Sequence, residues 1–163
     1  MKLNLELDHG YLPDQFGKYA SVKLNGLPVE SFPFTISELA PEAKYLAWSF
    51  VDYDSTPVCG FTWIHWLVAD VPATQQIPAD FSRQYQGPQG YNSNISKFLQ
   101  QPKENTVGYV GPTPPDKDHY YTLRVYGLKE ATNLQGSFYY NEFLKAIEGK
   151  VVDEARIDVL SRA

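Results

Sequence analysis

The stretch that decides the fold is residues 108–128, GYVGPTPPDKDHYYTLRVYGL, in which a proline-rich loop leads directly into an alternating segment. Pro112, Pro114 and Pro115 fix their own φ angles and restrict the residue before each, so the loop is predicted to be stiff. Gly108 and Gly111 allow backbone conformations that other residues resist. The alternation that follows predicts a β-strand, with Tyr121, Leu123 and Val125 on one face and Thr122, Arg124 and Tyr126 on the other.

His119 stands where this stiff loop meets the strand. A side chain at that junction is well placed to contact a ligand, and a loop of fixed shape loses little further entropy on binding. The alternative is a rigid structural turn that carries a surface histidine. The loop by itself leaves both interpretations open.

Three segments upstream predict further strands. Residues 2–7, KLNLEL, alternate and predict a first strand. Residues 44–54, KYLAWSFVDYD, predict a second, with Leu46, Trp48 and Phe50 on one face. Residues 61–72, FTWIHWLVADVP, are apolar on both faces, which predicts a central strand that is covered on both sides. Residues 78–103 are polar and predict a long loop with one short helix, and such loops are usually functional or mobile.

The C-terminal part predicts the clearest helix. Ser137 is placed to cap it and Gly149 to end it, although a helix that continues past Gly149 competes with this prediction. Beyond it, the alternation of residues 155–159 predicts a last short strand. The apolar residues of the helix recur at i, i+3, i+4 and i+7: Tyr140, Phe143, Leu144 and Ile147. The chain is therefore predicted to be a mainly β, single domain over residues 1–163.

Composition narrows the function classes. Charged residues make up 20% and apolar residues 43%, which is typical of a globular protein. The net charge of −5 without a basic stripe argues against nucleic acid and anionic membranes as partners. No segment reaches the roughly 20 apolar residues of a membrane helix, and MKLNLELDHG lacks a signal-peptide core, so a cytoplasmic protein is expected. Cys59 is the only cysteine, which excludes an intrachain disulfide, and it is expected to be a small buried apolar residue.

Two places besides the loop hold candidate chemistry. Asp52 and Asp54 end a predicted strand, where two carboxylates can share one face, although the segment DYDSTP taken alone favours a strand-ending turn. His65 lies in the next strand, and a buried imidazole needs hydrogen-bond partners. Because consecutive strands usually neighbour each other, Asp52 is expected to pair with His65. That pairing would raise the pKa of His65 and favour a cationic ring.

Standard catalytic motifs are absent. The chain contains no G-x-S-x-G, no phosphate-binding loop of the NTPase type, no dinucleotide fingerprint, no H-E-x-x-H and no C-x-x-C. The spacing of His65, His119, Asp52 and Asp54 does not mark a metal site. No metal and no cofactor are therefore expected.

Taken in order, these segments resemble the phosphatidylethanolamine-binding protein family, in its bacterial Raf-kinase-inhibitor-like branch. That family has a D-P-D-x-P turn, a strand with H-W, a G-Y-x-G-P-x-P-P loop and an H-R-Y that leads into a strand. Here these read DYDSTP, WIHWLVADVP, GYVGPTPP and HYYTLRVYGL, so the match is firmest over residues 44–128. Tyr53 replaces the first turn proline, the second is displaced to Pro57, and Tyr120 replaces the arginine.

The resemblance implies a large central antiparallel sheet that is flanked by a smaller sheet, with a C-terminal helix. It also implies a small cavity at one end of the sheet that takes phosphate-like anions or phospholipid head groups. Asp54 and Pro57 would belong to the same turn as structural residues. By motif, the cavity would be formed by Asp52, His65, Trp66, the backbone of residues 111–115 with Gly111, Pro114 and Pro115, His119 and Tyr121.

The function expected from this resemblance is that of a cytoplasmic, non-enzymatic binding protein with a regulatory role, and a homodimer is expected by the same analogy. Two alternatives remain open. One is a hydrolase-type enzyme that uses the His and Asp residues as general acid and base. The other is a regulatory protein that acts through a protein partner.

Overall fold

In the computed structural model, which describes residues 1–163, β-strands make up most of the regular structure. Short 3-10 helices occupy Asp14–Phe16, Ser93–Ile95 and Lys103–Asn105. None of the helices is long and apolar enough to span a membrane. The strands are β1 Lys2–Asn4, β2 Lys23–Leu24, β3 Leu27–Pro28, β4 Phe34–Ser37, β5 Tyr45–Asp52, β6 Trp63–Pro72, β7 Gln76–Ile77, β8 His119–Leu128 and β9 Val151–Ser161, and the α-helices are α1 Thr56–Cys59, α2 Phe81–Gln84 and α3 Tyr140–Ile147.

The main sheet has four antiparallel strands in the order β6–β5–β8–β9. The prediction that β6 is central is wrong, because β6 pairs only with β5 and forms an edge. Loop backbone covers that edge: the Gly90 N–H donates to Leu67 O, and the Val110 N–H donates to His65 O. The two faces of β6 are buried in the two core layers, Trp66 and Val68 in one and Leu67 and Ala69 in the other, so its sequence looks like that of a central strand.

The two faces of the main sheet are buried by different partners. One face packs against the smaller antiparallel sheet β1–β4–β7, with Trp48 and Leu123 inside this layer. The other face packs against α3, with Ala47 and Tyr126 beneath the helix. The alternation predicted for β5 and β8 therefore describes the structure. The expected architecture, a large antiparallel sheet with a smaller flanking sheet and a C-terminal helix, is confirmed.

Helix α3 differs in detail from its prediction. Tyr139, not Ser137, is the N-cap residue, and its N–H donates to the Glu142 carboxylate at 2.7 Å. Phe143 and Ile147 are buried, but Leu144 is 45% exposed and does not belong to the buried face. Gly149 has a φ of +71°, and after it the chain enters β9 instead of a longer helix.

Residues 78–103 form the predicted long loop, with α2 and one 3-10 helix inside it. Buried amide side chains hold this loop in place. Asn92 donates to the carbonyls of Asn105 and Gly108, at 3.0 and 3.1 Å. Asn94 donates to the Asn105 carbonyl at 3.2 Å. The loop is thus fixed against the segment that leads into Gly108.

Substitution of two adjacent residues tests which face of α3 is buried. We expect Phe143→Ala to destabilise the protein by about 3–5 kcal/mol, because it empties a fully buried position between helix and sheet. Leu144→Ala is the matched control on the same turn and should cost less than about 1 kcal/mol, since its side chain is half exposed. Urea unfolding gives both values, and equal losses would contradict the packing described.

Candidate functional site

A cavity of about 250 Å³ lies at the end of the main sheet where β5 ends, β6 begins and β8 begins. It is referred to below as the cavity. Of the residues that the sequence singles out, the structure brings seven together there: Asp52, His65, Gly111, Pro114, Pro115, His119 and Tyr121. Its other lining residues are Leu27, Ser55, Val58, Cys59, Trp63, Asn94, Val110 and Thr113.

His119 is the most buried polar side chain of the cavity, and it is held between two carboxylates. Its Nδ1–H donates to Asp52 Oδ2 at 2.8 Å, and its Nε2–H donates to Asp116 Oδ1 at 2.9 Å. A ring that donates from both nitrogens is the imidazolium cation. Burial opposes this charge, but the hydrogen bonds and negative charges of Asp52 and Asp116 outweigh burial, so the pKa of His119 is raised. The interpretation of residue 119 as a surface histidine is wrong.

Asp52 does not pair with His65, contrary to the sequence-based expectation. Its carboxylate bonds His119 and also accepts the Ser55 N–H at 3.0 Å. The reason lies in the sheet order, because β5 pairs with β8 as well as with β6 and Asp52 stands opposite Tyr121. The start of β8 is therefore as near to Asp52 as β6 is, although it is far away in sequence.

His65 occupies a β-bulge that turns it toward the cavity. Phe50 pairs with Trp66 and Val51 pairs with Ile64, which leaves His65 as the extra residue of β6. A bulge of this kind re-aims a side chain and is common next to functional sites. As a result, His65 and Trp66 both lie on the sheet face that carries Phe50, instead of alternating.

The environment of His65 keeps its ring neutral. Its Nδ1–H donates to the Val110 carbonyl at 2.8 Å, which assigns the proton to that nitrogen because a carbonyl can only accept. Burial lowers the pKa of His65 to about 4, against the opposing effects of the Val110 hydrogen bond and the Asp52 charge. Nε2 therefore keeps a lone pair, and it makes no hydrogen bond within the chain. The predicted cationic His65 is wrong, since burial outweighs the carboxylate that now serves His119.

Trp66 lies beneath the cavity and does not line it. Its ring is fully buried among Trp48 and Tyr109, and its Nε1–H donates to Gln89 Oε1 at 3.1 Å. The tryptophan that reaches the cavity is Trp63, two residues before the bulge. The expectation that Trp66 walls the cavity is therefore wrong. The bulge at His65 changes which side chains face the cavity, and an alternating sequence pattern does not reveal a bulge.

The proline loop is fixed at both ends. A Cβ added to Gly111 would lie 2.5 Å from Phe16 O, so only glycine fits there. The Gly111 N–H donates to Pro28 O at 2.9 Å, and Lys18 Nζ donates to Pro114 O at 3.1 Å. Between the prolines only Thr113 has a backbone N–H. The predicted stiffness of the loop therefore has a structural basis in its contacts as well as in its prolines.

Asp54 and Pro57 lie outside the cavity lining. Asp54 Oδ2 accepts the Tyr120 N–H at 2.9 Å, which ties the turn after β5 to the start of β8. Pro57 lies in the first turn of α1. Both positions agree with a structural role for the two residues.

Helix α1 and its N-cap residue Ser55 supply lining residues that the sequence patterns did not indicate. Ser55 Oγ donates to the carbonyls of Asp52 and Phe61, at 2.7 and 2.9 Å, and accepts the Trp63 N–H. Cys59 is exposed at the wall of the cavity, so its prediction as a buried residue is wrong. Asn94 comes from the long loop, where no motif marks it. In the sequence, only the polar turn residues 54–57, DSTP, marked this segment as different from the apolar strands on either side.

The charge of the cavity is carried by few groups. Neither lysine nor arginine lines it. Asp52 and His119 are its only charged lining residues, and His65 lines it in the neutral form. Burial, together with the charge of Asp52 and a hydrogen bond to it, raises the pKa of the Tyr121 hydroxyl far above its usual range, so that this group stays protonated. No group of three or more His, Cys, Asp or Glu residues is placed to hold a metal ion.

A sequence model described as phosphatidylethanolamine-binding protein matches residues 6–162. The chain belongs to the phosphatidylethanolamine-binding protein family. Protein YxkA of Bacillus subtilis, which is described as uncharacterized, is 42% identical over 158 residues that cover 93% of this chain and 94% of that protein. A UPF0098 protein of Methanothermobacter thermautotrophicus is 31% identical over 80% of this chain and 81% of its own length.

Two solved structures share the fold of this phosphatidylethanolamine-binding protein family member. Escherichia coli YbcL, described as a member of the mammalian family, has a TM-score of 0.75 at 20% identity, over 99% of this chain and 98% of its own. The Chlamydia trachomatis homologue CT736 has a TM-score of 0.76 at 22% identity, over 94% of this chain and 90% of its own. At these identities the likeness establishes the fold. The family resemblance read from the sequence is confirmed.

The pKa of His65 is predicted to lie below the ordinary imidazole value, and the pKa of His119 above it. Imidazole ¹⁵N NMR should show His65 neutral, with its proton on Nδ1, until the pH approaches about 4, and His119 still charged above pH 6.5. Because the folded-state pKa of His65 lies below the unfolded value, its contribution to stability is present above pH 6.5 and is lost as the pH falls toward 4.

Variants that replace each histidine by glutamine assign the NMR signals. A His65 ring that is protonated at pH 6 would contradict the tautomer and the environment described for it.

Proposed function

We propose that this protein binds a small oxyanion, such as phosphate or the phosphate of a phospholipid head group, in the cavity and does not turn it over. The observation that carries the proposal is the His119 imidazolium, held in place by Asp52 at the inner wall of the cavity. A fixed cation in a site shielded from water attracts an oxyanion through a charge-assisted hydrogen bond.

Other donors around His119 support the same ligand class. The Tyr121 hydroxyl stays protonated, and the Thr113 backbone N–H lies in the stiff loop that lines the cavity. Short side chains and backbone amides hold an anion with little loss of conformational entropy on binding. The volume of about 250 Å³ is below the usual range for drug-sized ligands, which favours a phosphate group with a small substituent.

The enzyme alternative is less well supported than binding. Ser55 is the only hydroxyl of the α1 turn that lines the cavity, and its Oγ–H points to backbone carbonyls and not to a histidine. A serine without a base is a weak nucleophile. We therefore propose a binding protein over a hydrolase.

The remaining parts of the proposal follow the family. We propose that the chain acts as one domain in the cytoplasm, as a homodimer, with a regulatory role of the Raf-kinase-inhibitor-like kind that depends on the cavity. Light scattering after size exclusion tests the homodimer. Protein partners that are retained by cavity variants would favour the alternative, in which another protein is the real target.

Replacement of His119 tests the proposed function. We expect His119→Gln to weaken binding of inorganic phosphate and phosphoserine at least about tenfold, because it removes the charge-assisted hydrogen bond. His9→Gln is the control, since His9 is 85% exposed and contacts only Asp8. Calorimetric titration measures both, alongside thermal unfolding to confirm that each variant is folded. The proposal fails if the unchanged protein binds neither ligand at millimolar concentration.

Binding should also take up a proton at His65. An oxyanion is repelled by the lone pair of His65 Nε2 unless a proton binds to that nitrogen. The affinity of the protein for the oxyanion is therefore expected to rise as the pH falls from 8 to 5.5. Sulfate is the suitable probe because it does not titrate in this range. Calorimetry in buffers of different ionisation enthalpy measures the uptake, which His65→Gln should remove. An affinity that increases with pH would sink this prediction.

A further inference from the structure

Asp116 accepts a hydrogen bond from Nε2 of His119, the ring nitrogen that does not contact the buried Asp52. Its Oδ1 accepts from His119 Nε2 at 2.9 Å, while Asp52 holds Nδ1 at 2.8 Å. The two carboxylates differ in burial: the Asp52 side chain is 5% exposed and the Asp116 side chain is 48% exposed. Only Asp116 can therefore swing into solvent without leaving a buried charge unpaired.

We propose that Asp116 is an internal competitor for the cavity's ligand, which holds the position at His119 Nε2 that an external oxyanion would take. This inference rests on the proposed function. A ligand must displace the Asp116 carboxylate before it reaches the imidazolium. When no ligand is bound, Asp116 accepts the hydrogen bond of His119 Nε2. The affinity of the cavity for anions is reduced by the free energy needed to break that contact.

The same residue sets the charge of the ligand that the site prefers. Asp52, His119 and Asp116 together carry a net charge of one negative unit, His65 is neutral, and no lysine or arginine lines the cavity. The displaced Asp116 remains tethered three residues from His119, where it repels incoming negative charge. A doubly charged phosphomonoester is repelled more than a singly charged phosphodiester, so Asp116 selects for the diester class.

Asp118 provides a matched control two residues away. Its Oδ2 accepts the Tyr11 hydroxyl at 3.0 Å and its Oδ1 accepts the Ala163 N–H at 2.9 Å, so it makes its contacts away from His119. Neither Asp116 nor Asp118 lines the cavity, and of the two only Asp116 contacts His119. Asp116→Asn and Asp118→Asn therefore make the same change of net charge in the same loop, and only the first changes the contact with His119.

The test measures the affinity of methyl phosphate, a dianion at pH 8, and of dimethyl phosphate, a monoanion, at low ionic strength. We expect Asp116→Asn to tighten methyl phosphate binding about tenfold and dimethyl phosphate binding clearly less, because one negative charge is removed from contact distance while His119, checked by ¹⁵N NMR, keeps its charge through Asp52. Asp116→Ala, which also frees His119 Nε2, should bind both at least as tightly as Asp116→Asn. Asp118→Asn should stay within about twofold of the unchanged protein, since a more distant exposed charge is screened.

The outcomes separate the two proposals. If the unchanged protein binds both phosphates and Asp116→Asn behaves like Asp118→Asn, the competitor role is wrong and the proposed function stands. An equal gain for the two ligands would overturn the charge selection. If neither the unchanged protein nor Asp116→Ala binds either phosphate, both the competitor role and the proposed function are wrong.

Discussion

The buried pair of Asp52 and His119 is the interaction on which the rest of the site depends. A buried carboxylate and a buried imidazole are each costly alone, and each is acceptable because it satisfies the other at 2.8 Å. The contact joins residues 67 positions apart, at the end of β5 and the start of β8. Since Asp52 also accepts the Ser55 N–H, one carboxylate fixes the strand pair, the turn into α1 and the charge of the cavity.

The two histidines show how position in the sheet decides protonation. His119 begins a strand and has a carboxylate on each nitrogen, so it is held as a cation. His65 lies in a bulge of the neighbouring strand and has a carbonyl on one nitrogen, so burial keeps it neutral. The two rings therefore differ in what they offer a ligand, because His119 already carries both protons and His65 needs a proton on Nε2 before it can donate to an oxyanion.

Features that depend on the local sequence could be predicted, and features that depend on contacts between distant segments could not. Alternation in β5 and β8 predicted both faces correctly, since the side-chain period of a strand needs no knowledge of its neighbours. The partner of Asp52, the edge position of β6 and the displacement of Trp66 depend on strand order and on one extra residue at His65, which leave no local trace. Asn94 and Cys59 reach the cavity through a loop and a short helix, whose paths are set by tertiary packing.

Under the proposed function, a cavity without lysine or arginine holds an anion through side chains that are already fixed in the folded protein. Long cationic side chains lose rotamer freedom when they bind, whereas His119 is already fixed by Asp52 and the proline loop is fixed by Gly111 and Lys18. The attraction is correspondingly modest, because a single imidazolium is shared between two carboxylates. Recognition must then come from shape and from the number of charges on the ligand. Asp116 is the more exposed of the two carboxylates that bond His119, and under the proposal above its displacement leaves the imidazolium paired with Asp52 alone.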